Sequence, residues 1–152
     1  MRAVVDTNVV AYFLLGTEEF VGEASRFWRR VKEPIAPTVW EAELANVVWM
    51  AVRAKVLAPE QAPKRLTLAA GLGIDSVSSK SLWHGALARA LGSGVAVYDT
   101  LFVELAFREQ LLLATFDAKI LKSFPATARR QRPFPRYPLR LYPRAMAIRD
   151  RG

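Results

Sequence analysis

The sequence predicts an α/β domain whose mostly parallel sheet is covered on both faces. Three observations predict it. Short apolar segments alternate along the chain with longer segments of helical periodicity. Those short segments lack the every-other-residue polarity of a strand with one wet face. Hydrophobic residues make up 52% of the 152 positions, enough for one substantial core.

The elements follow in order. Residues 2–5 read as a short buried strand, closed by Asp6, Thr7 and Asn8, which are good turn and helix-cap residues. Residues 18–32 form a charged amphipathic helix with Phe20, Ala24, Phe27, Trp28 and Val31 on one side, ended by Pro34. Ile35 and Ala36 make a very short second strand. "PTVWEAELANVVWMAVRAK" is the clearest helix, and Thr38 followed three residues later by Glu41 has the spacing of a capping box. Pro59 opens a further helix that runs to about Ala70 and stops at Gly71 and Gly73. Residues 74–77 are the third strand, and residues 79–91 a helix halted by Gly92 and Gly94.

"VAVYDTLFVELAFREQ" then leads into a helix beginning near Asp99. "LLLAT" (111–115) is the fourth buried strand, followed by a short helix over residues 117–123. Prolines at 125, 133, 135, 138 and 143 exclude any long helix beyond Phe124. "LRLY" (139–142) alternates and reads as an edge strand, where flanking prolines are tolerated. The chain thus divides into a domain over residues 1–124 and an Arg/Pro-rich segment over residues 125–152.

Several chemistries are excluded. The chain has no cysteine, so it has no disulfide framework, thiolate zinc site or cysteine nucleophile, and it fits a reducing cytoplasm. His84 is the only histidine, which rules out a multi-histidine metal site; it reads as a partly exposed helix residue without a role. No apolar run reaches membrane-spanning length, and the start of the chain lacks a signal-peptide pattern. Trp28, Trp40, Trp49 and Trp83 fall at helical spacings with other apolar residues, which points to a core or a dimer interface rather than base stacking.

Charge is unevenly placed. Of a net +8, the residues from Pro125 onward carry eight arginines and one acid, Asp150. The basicity therefore belongs to the last segment. It reads either as a set of phosphate contacts, led by Arg129, Arg130 and Arg132, or as a solvated tail.

Against that near-neutral body, four acids stand out. In an open α/β sheet, ligands bind beyond the carboxyl ends of the strands. Asp6 ends the first strand, Asp117 follows the fourth, and Asp99 stands at the start of a helix. Glu41 and Glu43, two apart, point to different sides of their helix. Glu41 has a structural task as partner of Thr38, whereas Glu43 lies beside the buried positions Leu44, Val47 and Val48. Each acid also has a structural reading, as a cap or a solvated edge residue. Together they make a carboxylate cluster, and clustered carboxylates need protons or a cation. All-oxygen ligation suits Mg²⁺ or Mn²⁺, the ions of phosphodiester chemistry.

These stretches resemble a family. "VVDTNVV", the helical "EL" with Asn46 three residues after Glu43, "YDTLFVELA" and "LLLATFDAKIL" look like the PIN domain, and more narrowly like the VapC-type toxins of prokaryotic toxin–antitoxin pairs. The resemblance implies a three-layer α/β/α fold and a metal-dependent ribonuclease. Asp6, Glu43, Asp99 and Asp117 match the family's acidic cluster. Asp6, Asp99 and Asp117 would hold the metal, and Thr7, Asn8 and Thr115 would orient carboxylates or water. It also implies an RNA substrate, a homodimer, and a VapB-type antitoxin laid across the acidic pocket.

Other readings remain. A housekeeping RNA-processing nuclease and a non-catalytic nucleic-acid-binding module both fit the pattern. A haloacid-dehalogenase-like phosphatase fits poorly, because the position two after Asp6 is Asn8 rather than an acid. A receiver domain fits poorly because Asp6 stands alone at its strand.

Overall fold

The computed structural model describes residues 1–130. Its core is a five-stranded sheet in the order β3-β2-β1-β4-β5, with every neighbouring pair parallel. The strands are β1 (Arg2–Val5), β2 (Glu33–Pro37), β3 (Asp75–Val77), β4 (Leu113–Ala114) and β5 (Ala128–Arg129). β1 lies at the centre, and Ala3, Val4 and Val5 are all buried, so both of its faces are covered. That is why the strand reads as a continuous apolar run.

Helices complete three layers. They are α1 (Thr7–Leu15), α2 (Val21–Arg30), α3 (Val39–Arg53), α4 (Ala62–Ala70), α5 (Trp83–Ser93), α6 (Val97–Glu109) and α7 (Ala118–Ser123). Short 3-10 turns at Pro59–Gln61 and Ser79–Ser81 precede α4 and α5. α6 packs over β1, β2 and β4 with α5 against it, while α1 packs with α2, α3 and α4. Residues 100–106 of α6 are all buried, the mark of a helix enclosed on every side.

Three expectations change. α1 follows β1 without a loop, where the sequence left open whether Thr7 and Asn8 only turn the chain; it ends at Gly16, whose φ of +63° favours glycine. The capping box is absent. Thr38 has helical dihedrals and no side-chain cap bond, its hydroxyl sits 3.0 Å from Ser79 Oγ, and Glu41 accepts from Ser76 Oγ at 3.0 Å. β5 extends the sheet past residue 124, pairing Leu113 with Ala128 and Ala114 with Arg129. The expected edge strand at 139–142 and Arg132 lie outside the described residues.

Two buried glutamates, Glu104 and Glu23, anchor three ion pairs. Glu104 of α6 accepts from Arg89 Nε at 2.7 Å and Arg108 Nε at 2.6 Å. Burial alone would raise its pKa, but hydrogen bonds and charge from the two arginines hold it below the usual range. After β5, Arg130 pairs with Glu23 of α2 at 2.6 Å, and its guanidinium lies over the rings of Phe116 and Phe20.

Candidate active site

The register of the central strands builds the site. β1 and β4 are parallel neighbours with Val5 opposite Ala114, so the next residues, Asp6 and Thr115, emerge side by side at the carboxyl edge. Asp6 N donates to Ala114 O at 3.0 Å, carrying the ladder one step further. Thr115 Oγ1 donates to Asp6 Oδ2 at 2.6 Å, and Asn8 Nδ2 donates to the same oxygen at 3.2 Å. Asn8 is held in turn by Phe116 N, which donates to its Oδ1 at 3.2 Å. Asp117 N donates to Thr115 Oγ1 at 3.0 Å. One hydroxyl therefore links the ends of β1 and β4, and Asp6 cannot rotate without breaking that set.

The other acids arrive from helices. Asp99 sits in the first turn of α6, where Ala96 occupies the cap position and no side chain caps the helix. Its structural reading as a cap therefore falls. Asp117 does cap: its Oδ1 accepts from Ile120 N at 2.8 Å, at the start of α7. Glu43 projects from α3, half-buried, and its Oε1 is buried with no hydrogen-bond partner. Thr7 Oγ1 is likewise buried and unpartnered.

Electrostatics joins the four into one group. Burial pushes Asp6 up to about 7, with further repulsion from Asp99 and Asp117, against the bond from Thr115. Glu43 is raised to about 8, by burial first and then by the charges of Asp6 and Asp99. Asp99 is raised by burial and by Asp117, partly offset by Lys119. Among the described residues, no three acidic or histidine side chains close directly on one ion position. The arrangement still fits a hard divalent cation that keeps water in its shell: an orphaned buried carboxylate oxygen faces a field of like charges, the environment such an ion relieves.

The structure thus places Asp6 and Asp99 within electrostatic reach of each other and of both Glu43 and Asp117, with Asn8 and Thr115 bonded to Asp6. It places Arg130 on Glu23, and Arg129 on the carbonyls of Pro125 and Ala128. Sequence reasoning passed over Lys119, whose charge lowers Asp99. Its signal was its position two residues after Asp117 in "FDAKIL". His84 is exposed on α5.

The family model of the PIN domain matches residues 3–125. A chain from the crystal structure of VapBC2 from Rickettsia felis, bound to a DNA fragment from their promoter, has a similar fold. The TM-score is 0.59 at 15% identity, covering 85% of this chain and 98% of that one. No curated protein matches the sequence.

Proposed function

The chain belongs to the PIN domain family, and on that premise we propose that it is a divalent-metal-dependent endoribonuclease, the toxin of a VapBC-type pair, acting in the cytoplasm. PIN domains are generally nucleases. The observation that carries the reading is the buried Asp6, fixed by Thr115 and Asn8 at the sheet edge, with the half-buried Glu43 presenting an unpartnered buried oxygen and both raised, to about 7 and about 8. Carboxylates that raise one another in this way cost stability unless protons or a cation compensate them.

In this reading Asp6, Asp99 and Asp117 would hold Mg²⁺ or Mn²⁺, partly through water. The bound ion supplies phosphate neutralisation, activation of water and stabilisation of the leaving oxygen. Thr115 and Asn8 keep Asp6 in one orientation, and Thr7, whose buried hydroxyl has no partner, would orient water. Glu43, raised to about 8 by burial and by the neighbouring acids, would serve as general base for the attacking water once a bound cation had lowered it and left it ionised. Lys119 contacts the substrate phosphate. The arginines of the last segment, Arg132 among them, supply affinity for the RNA backbone.

The partners follow from the same reading. A VapB-type antitoxin would cover the acidic pocket. A homodimer would cover Trp49 and Met50, which α3 leaves more than half exposed. Light scattering at micromolar concentration tests the dimer; a strictly monomeric species overturns it without touching the nuclease assignment. The decisive test of function is cleavage of single-stranded RNA by the purified chain. Activity should require Mg²⁺ or Mn²⁺, vanish with EDTA, and be lost in Asp6→Asn and Asp99→Asn while the fold persists. Full activity in both variants, unaffected by EDTA, overturns it. A short neighbouring reading frame for a DNA-binding antitoxin would separate the toxin from a housekeeping RNA-processing nuclease.

A further inference from the structure

A cleft of ≈ 640 Å³ is lined by Ser79, Lys80, Trp83, Val97, Tyr98 and Leu101. That volume lies within the span of ligand clefts, about 300–1,000 Å³. Its two large aromatics are not core residues, since Trp83 is 50% exposed and Tyr98 67% exposed. Lys80 Nζ lies 5.9 Å from the Trp83 ring centroid, so a cation stands beside the open ring.

The cleft adjoins the acidic site. Tyr98 directly precedes Asp99 in the first turn of α6. Ser79 follows the carboxyl end of β3, and its hydroxyl meets Thr38 at the carboxyl end of β2. The cleft thus lies along the same sheet edge as Asp6, two strands further out. A polynucleotide whose backbone crosses the acids would meet Tyr98 and Trp83 next.

Two exposed rings with a lysine beside them suit a base, which offers a π-face, joined to a phosphate, which offers a negative charge. Resting on the nuclease reading above, we infer that this cleft is a nucleobase-stacking subsite of the active site, in which Trp83 and Tyr98 hold bases flanking the scissile phosphate and Lys80 contacts the adjoining phosphate. An apolar protein surface would fill the rings equally well but would leave the lysine without a counter-charge, so single-stranded RNA is the better occupant.

The test is equilibrium binding of a fluorescein-labelled single-stranded RNA to the full chain in EDTA, where cleavage is suppressed, read by anisotropy. Both rings are at least half exposed, so substitution should leave circular dichroism and Tm near wild type. Trp83→Leu and Tyr98→Leu should each weaken binding about ten-fold, the scale of removing one base–aromatic stack. Trp83→Phe and Tyr98→Phe, which keep a ring, should restore most of the affinity. Probes with a single abasic nucleotide should lose affinity for the wild type at one or two positions, and Trp83→Leu should no longer register the loss at one of them. Unchanged affinity in both leucine variants overturns the subsite, as does an abasic loss that Trp83→Leu retains in full. If the leucine variants bind RNA normally but change the mass in light scattering, the cleft is a contact between copies and the proposal falls. Failure of the nuclease reading looks different: the wild type itself neither binds this RNA nor cuts it in Mn²⁺.

Discussion

At Asp6 two effects oppose each other. Hydrogen bonds from Thr115 and Asn8 favour the carboxylate, while burial and the neighbouring acids disfavour it, and the second set prevails, at about 7. Unfolded aspartate and glutamate titrate near 4. Between about 4 and about 8 the folded chain therefore binds more protons than the unfolded one at Asp6 and Glu43. Stability from these groups is fully present below the unfolded pKa, falls as pH rises through that window, and is level above it. Thermal melts in EDTA should show Tm dropping from pH 5 to pH 8, and Mn²⁺ at pH 8 should raise it again. Asp6→Asn should flatten the pH dependence and abolish the Mn²⁺ effect; a Tm that climbs across the window would refute the assignment. Glu41 and Glu43 make a matched pair for activity. Glu41→Gln alters an exposed bond to Ser76, and should cost about 1 kcal/mol or less and keep cleavage. Glu43→Gln should lose cleavage and keep stability. Reversed outcomes would exchange their roles. The grouping of the acids was legible because each stood at a strand end or on a buried helix face. The capping box was not: its spacing is local, and the contacts that displaced it, to Ser76 and Ser79, come from residues more than thirty positions away.

Among the elements, the pairing of α5 with α6 depends on one glycine. A Cβ at Gly85 would stand 2.3 Å from Cδ of Glu104, and Glu104 cannot retreat cheaply because Arg89 and Arg108 hold both of its oxygens. Alanine is the better helix former by roughly 1 kcal/mol, so propensity alone predicts a gain. The clash should win. Gly85→Ala should lose about 1–3 kcal/mol in denaturant unfolding, as overpacked sites do. A stabilised Gly85→Ala would show that α5 shifts freely against α6. The same long-range logic explains which elements the sequence revealed. The central strands were legible because they are apolar on both faces. α1 was not, since "NVVAYFLL" is apolar almost throughout and masks a helical period. β5 was not, because two residues without a hydrophobic pattern form a strand only where β4 offers a free edge. Its anchor, Arg130 on Glu23, joins residues 107 apart, and in the sequence Arg130 is one more member of a basic run.

For the molecule as a whole, the distribution of charge sets the problem of binding RNA. The acidic pocket repels a phosphate backbone, and the folded body offers little net attraction to offset it. Of the eight arginines from Pro125 onward, Arg130 is committed to Glu23 inside the fold and Arg129 bonds to backbone carbonyls. Six arginines and Asp150 lie beyond residue 130 and carry +5 of the net +8. We therefore assign the bulk of the long-range attraction for RNA to that segment and the chemistry to the body. A chain ending at Arg130 keeps the five described strands and the Glu23 ion pair, and circular dichroism checks that it folds. It should bind single-stranded RNA more weakly, and the slope of log K against log salt should flatten by roughly 0.7 for each phosphate no longer neutralised. At saturating RNA its catalytic rate should hardly change, because Asp6, Glu43, Asp99 and Asp117 are untouched. Arg130→Ala separates the two uses of arginine: it should lower Tm by freeing a buried Glu23, and alter the salt slope little. A truncated chain with undiminished affinity and an unchanged slope would locate the RNA-binding surface on the body, with Lys80 and Lys119 the first residues to test.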